Sequence, residues 1–136
     1  MSKQIFVNLP VRDLRKAKAF YEAIGATHNP QFSDETGACM VWSDTIFVML
    51  LTHDKWGFFT KKPIADAHVA SEVMLALSAE NRQAVDAIVD AAKANGGKAD
   101  VNPPQDHGFM YGRSFEDVDG HIWETVFMDM SRMPQA

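Results

Sequence analysis

One order of elements occurs twice along this 136-residue chain, and that repeat limits the folds open to it. The first pass begins with Ile5, Phe6 and Val7, β-forming residues in a strand predicted over 5–11, where Pro10 marks an end or an edge. Leu14, Ala17, Phe20, Tyr21 and Ile24 then recur on one helical face, with Asp13 placed to cap the helix and Gly25 to stop it. Two strands follow, 38–42 and 46–52, joined by the turn Ser43-Asp44-Thr45. The second pass opens with a strand over 72–78, where Val73, Leu75 and Leu77 alternate with Glu72, Met74, Ala76 and Ser78. A helix over 80–94 carries the stripe Val85, Ile88, Val89 and Ala92 and ends at Asn95-Gly96-Gly97. Strands 109–116 and 121–128 close the series around the turn Asp117-Val118-Asp119-Gly120. Residues 53–71 read as a long loop and 102–108 as a shorter one; Phe32 is read as part of a short strand.

The halves can be laid over one another. Leu9-Pro10-Val11-Arg12-Asp13 falls on Leu77-Ser78-Ala79-Glu80-Asn81, which sets Phe6 opposite Met74 and Gln4 opposite Glu72. Matching the hairpin turns sets Met49 opposite Glu124. The expectation is one domain over 1–136 made of two modules, about 4–53 and 71–130, joined by a loop over 54–70.

Composition narrows the classes of partner. Hydrophobic residues at 46% and charged residues at 23% are ordinary globular usage, which excludes a disordered body. Thirteen basic against eighteen acidic side chains leave a net charge of −5, the wrong sign for nucleic acid or an anionic membrane. The single cysteine, Cys39, forms no internal disulfide and fits a reducing compartment. The opening residues lack the apolar stretch of a signal peptide, and the longest apolar run, 46–51, is far short of the ~20 residues of a membrane helix. A cytoplasmic location is therefore expected. Eight methionines and nine phenylalanines call for an adaptable apolar surface.

Two motifs carry a family resemblance. The run Leu9-Pro-Val-Arg-Asp-Leu, followed by a helix bearing Ala19-Phe20-Tyr21, resembles the first module of the vicinal oxygen chelate superfamily of glyoxalases, bleomycin-resistance proteins and extradiol dioxygenases. The closing run from Phe115 to Glu124, Phe-Glu-Asp-Val-Asp-Gly-His-Ile-Trp-Glu, resembles its last hairpin. The resemblance implies an α+β fold of two βαβββ modules, curled mixed sheets forming a cup, and a homodimer. In metal-using members four side chains from the first and last strands of the modules point into the cup. Carried over, these positions are Phe6, Met49, Met74 and Glu124. Phe6 cannot ligate, and thioethers favour soft ions over Zn²⁺, Ni²⁺ or Fe²⁺. One carboxylate falls short of the three protein ligands a catalytic zinc keeps, so no metal and no other cofactor is expected.

Glu124 is the candidate catalytic residue. A carboxylate among Phe6, Met49 and Met74 would be desolvated and could serve as a general base or accept a hydrogen bond from a ligand. The alternative is a structural glutamate held by an arginine or a backbone N–H. Glu72, two residues before Met74, is read either as a second carboxylate at the rim or as a solvated side chain. His107, in a loop beside Gly108, is a second catalytic candidate; the five histidines show no metal-ligand spacing. Arg113 is read as a contact for an acidic ligand or as a salt-bridge partner, with Glu124 one candidate. Asn8 joins Phe6, Met49 and Met74 among the ligand-binding candidates. Trp56 does too, as part of the aromatic run Trp56-Gly57-Phe58-Phe59, a lid or dimer element. Cys39 is read as an inert buried thiol. Three functions stay open: a metal-free protein binding a small organic ligand in an apolar cup, with or without chemistry at Glu124; a metal-dependent lyase or dioxygenase; or a drug-sequestering resistance protein.

Overall fold

A computed structural model describes residues 2–132, and its packing divides the chain after Ala70 into two units. In the first unit, strand β1 (Ile5–Val11) leads into helix α1 (Leu14–Ala23). Strands β2 (Thr27–Asn29), β3 (Gly37–Val41) and β4 (Ile46–Thr52) follow, and then a single-turn helix, α2 (His53–Trp56). The sheet order is β1-β4-β3-β2, with β1 parallel to β4 and the remaining pairs antiparallel. Asp13 caps α1 by accepting a hydrogen bond from the Lys16 N–H at 3.1 Å, and Gly25 leaves the helix at φ +115°, a conformation suited to glycine. Ala17, Phe20 and Tyr21 of α1 are buried, as are Leu9, Met40, Val48 and Leu50 of the strands. Each large apolar side chain removed from water in this way contributes about 1.5–3 kcal/mol.

The second unit repeats the plan. Strand β5 (Met74–Ser78) precedes helix α3 (Arg82–Ala94), whose first turn is capped by Asn81 accepting from the Ala84 N–H at 2.7 Å. The short strands β6 (Lys98–Ala99) and β7 (Gln105–Asp106) come next, then β8 (Met110–Glu116) and β9 (Ile122–Met128). The order is β5-β9-β8-β6, with β5 parallel to β9 and β7 also paired to β8. Val85, Val89 and Ala92 of α3, together with Phe115, Trp123 and Thr125 of the sheet, form the core. In the turn between β8 and β9, Asp117 accepts from the N–H groups of Asp119 and His121, both at 2.9 Å, and Gly120 takes φ +90°.

A charged network ties α3 to β8. Arg113 forms a two-pronged pair with Asp100 (3.0 and 2.9 Å) and donates to Asp86 at 3.0 Å and Asp90 at 3.5 Å. The Tyr111 hydroxyl donates to Asp86 at 2.6 Å. Arg82 lies 4.3 Å from the centre of the Tyr111 ring and also bonds Asp106. Asp100 sits at φ 56°, the left-handed region that aspartate tolerates better than most residues.

The fold is therefore α+β, with two mixed sheets of four and five strands. Several local expectations are corrected. The strand expected from Glu72 starts at Met74, which leaves Glu72 exposed before the sheet begins. Phe32 ends a 3₁₀ turn, Pro30–Phe32, because proline presets that turn's backbone. The segment read as loop from residue 53 opens with α2, capped by Thr52 accepting from the Lys55 N–H at 3.2 Å. β2, β6 and β7 were not anticipated. None of the described helices is long and apolar enough to cross a membrane.

Candidate ligand site

Register determines which side chains share a face, because paired residues in adjacent strands point the same way. In the first sheet Phe6 pairs with Phe47, Asn8 with Met49, and Cys39 also with Met49. In the second, Met74 pairs with Ile122, Ala76 with Glu124, and Ser114 also with Glu124. Phe6 thus corresponds to Met74 and Met49 to Glu124, each on the sheet face turned away from the unit's helix.

On that face of the second unit lies an open cleft of about 280 Å³. Its floor is Gly112, Ser114, Glu124 and Val126; Met74, Met110, the loop residues Asn102 and Pro103, and Gln105 of β7 form its walls. At Gly112 a Cβ would make only an ordinary contact, 3.5 Å from the Val126 side chain. The Ser114 hydroxyl accepts from the Asn102 N–H at 2.8 Å and donates to the Asn102 carbonyl at 3.2 Å. Asn102 in turn places its amide nitrogen 3.6 Å from the Met74 sulfur. Among the described residues no donor is bonded to the Glu124 carboxylate, which is only half-buried. This arrangement offers a ligand one anionic acceptor, two carboxamides and two thioethers.

The other candidates fall elsewhere. Arg113 borders the cleft, but its guanidinium is taken up by Asp100, Asp86 and Asp90; it forms salt bridges, and Glu124 is not among their partners. Asp100 leads the causes that hold the Arg113 guanidinium above its ordinary pKa. His107 is exposed, with Nε2 3.3 Å from the Gln105 side-chain oxygen, and lines neither this cleft nor the one in the first unit. Glu72 lines neither, nor does Trp56, which is half-buried in α2. Phe6 also lines neither; it stacks on Phe47 with centroids 4.8 Å apart. Asn8 and Met49 line a cleft of about 340 Å³ in the first unit. Asn102, Gln105, Met110 and Ser114 were missed. Ser114 could have been found by counting the hairpin register back from Asp117-Val-Asp-Gly, whereas the loop residues had no periodic signal.

The residues do not fit a divalent metal of the kind that superfamily members use. Of the four corresponding positions only Glu124 is a hard ligand, and among the described residues no three His, Cys, Asp or Glu side chains gather to hold an ion.

Residues 3–125 match the profile of the Glyoxalase/Bleomycin resistance protein/Dioxygenase superfamily, and the chain belongs to that family. Among solved structures, hypothetical protein SA1046 from S. aureus is 28% identical, with a TM-score of 0.76 over 93% of this chain and 95% of that one. A glyoxalase/bleomycin resistance protein/dioxygenase family enzyme from Burkholderia phytofirmans PsJN is 16% identical, with a TM-score of 0.75 over 93% and 99%. The fosfomycin resistance protein FosX from Listeria monocytogenes is 19% identical, with a TM-score of 0.68 over 100% and 96%. The comparison with curated proteins returned no match.

Proposed function

We propose that this family member binds a small organic molecule in the second-unit cleft, without a divalent metal, and that Glu124 receives an N–H or O–H of that ligand. The observation that carries the reading is the Glu124 carboxylate itself. It has no donor among the described residues and stands beside Met74, Met110 and Val126, where a ligand donor would be shielded from water. Asn102 and Gln105 add amide groups that orient a polar ligand, while the thioethers accept an apolar body of irregular shape. Should the ligand carry an acidic proton next to Glu124, the same carboxylate serves as a general base.

Two measurements test this. Metal analysis of tag-free protein is expected to find no stoichiometric transition metal; one bound through Glu124 would overturn the reading. A thermal-shift screen of amine-, amide- and hydroxyl-bearing small molecules is expected to yield compounds whose stabilisation disappears in Glu124→Gln. Compounds that stabilise both proteins equally would show that the carboxylate has no part in binding.

A further inference from the structure

The second unit holds one polar contact that ligand binding does not call for. The side-chain nitrogen of Asn102 stands 3.6 Å from the Met74 sulfur, a weak hydrogen bond to a thioether. The Asn102 peptide is itself held, its N–H and its carbonyl both bonded to the Ser114 hydroxyl at 2.8 and 3.2 Å. Met74 begins β5 and Ser114 lies in β8, and these two strands flank β9. Ser114 pairs with Glu124, while Met74 pairs with Ile122, two residues earlier on the same face. Asn102 therefore bridges β8 and β5 beside the Glu124 carboxylate. The end of the bridge at Ser114 is strong and the end at Met74 is weak, because sulfur is a poor acceptor.

Oxidation reverses that weakness. The Met74 residue is 57% exposed, so its sulfur is open to a small oxidant, whereas Met40 is fully buried. With hydrogen peroxide, a sulfur lone pair attacks one peroxide oxygen and the O–O bond breaks. The proton of the transferred oxygen passes through water to the departing hydroxide, so a sulfoxide and a water molecule result. Sulfur gives up two electrons and the peroxide takes them. The sulfoxide oxygen is polar and accepts hydrogen bonds far better than a thioether, and the unbranched methionine side chain can turn it toward a donor. The Asn102 amide is that donor, already in place.

We infer that Met74 is a site of reversible oxidation by peroxide, and that the Asn102 side chain donates to the resulting sulfoxide, tightening the bridge between β8 and β5. The oxidised cleft presents a dipole where the reduced one offers a thioether, which disfavours an apolar ligand body. That last consequence rests on the ligand site proposed above; the modification and its capture by Asn102 do not.

The test uses the full chain, dilute hydrogen peroxide and peptide mapping by mass spectrometry. Met74 is expected to gain oxygen about as fast as Met130, which is 73% exposed, and at least ~10-fold faster than Met40. The two methionine sulfoxide reductases, one for each epimer, are expected to restore the original mass. On oxidation the Asn102 side-chain amide signals are expected to shift in ¹⁵N-edited NMR spectra of the wild type and to stay in place in Met74→Leu. Asn102→Ala removes the donor and keeps both peptide bonds to Ser114, so the wall stays fastened. Oxidation is expected to lower the melting temperature of Asn102→Ala by about 3 °C more than that of the wild type, the shift that one hydrogen bond supports. In a Met74→Leu background that difference is expected to vanish, which separates Met74 from the other methionines. Met74 oxidising no faster than Met40, Asn102 signals that do not move, or equal losses in wild type and Asn102→Ala would overturn the inference. None of these readings involves a ligand, so each is independent of whether Glu124 contacts one.

Discussion

Glu124 and Met49 hold the same register position in two sheets of one topology: Glu124 between Ala76 and Ser114, Met49 between Asn8 and Cys39. The carboxylate makes no bond to its own unit among the described residues, so its presence is not explained by folding. Glu124→Gln, which preserves shape and removes charge, is expected to change stability by no more than ~0.5 kcal/mol in urea unfolding. A loss of about 2 kcal/mol or more would identify Glu124 as a structural ion-pair partner instead.

Arg113 is the opposite case. Its side chain is 14% exposed and connects Asp100, Asp86 and Asp90. Arg113→Met leaves Asp86 and Asp100 without their cation and is expected to cost about 2 kcal/mol. Arg113→Lys keeps the charge but cannot form the fork with Asp100, so an intermediate loss is expected. A double-mutant cycle with Asp100→Asn gives the pair's coupling directly.

The same network sets the acid limit of stability. The Tyr111 hydroxyl and Arg113 hold Asp86 below the usual carboxylate range, and Arg113 does the same for Asp100, against the opposing effect of burial. Asp106 is lowered chiefly by Arg82. A carboxylate depressed in the folded state gives stability that is full above its unfolded pKa, ~3.9, and lost as pH falls through the lower folded value. Urea titrations are expected to show stability falling below about pH 4. In Arg113→Met that fall should be shallower, because Asp86 and Asp100 then titrate nearer their unfolded values; identical slopes would remove the network from the account.

Cys39 is expected to be unreactive in the native protein. The residue is 3% exposed, and burial raises its thiol pKa, so little thiolate forms at neutral pH. Labelling with a thiol-reactive disulfide reagent at pH 7.5 should be slow in buffer and rapid in denaturant. Rapid native labelling would reveal an opening of the β3–β4 region.

The larger elements were readable because their side chains repeat. Leu14, Ala17, Phe20 and Tyr21 recur at helical spacing, and β5 alternates from Met74 to Ser78 as strands buried on one face do. β2, β6 and β7 are three, two and two residues long, too short for any period to register. Glu72 was drawn into a strand because alternation continues in sequence past the point where pairing begins. The strand-borne site positions, Met49, Met74 and Glu124, could be placed from the repeat. Asn102 and Gln105 lie on a loop and a two-residue strand, and only tertiary contacts bring them to the cleft.

The two hydrogen bonds between Ser114 and the Asn102 peptide fasten the loop wall of the second cleft to its sheet floor. That wall is built before any ligand arrives, so binding there need not freeze a mobile flap, and more of the contact energy survives as affinity. It also makes the cleft selective by shape, because a molecule too large for it must break the Ser114 latch to enter.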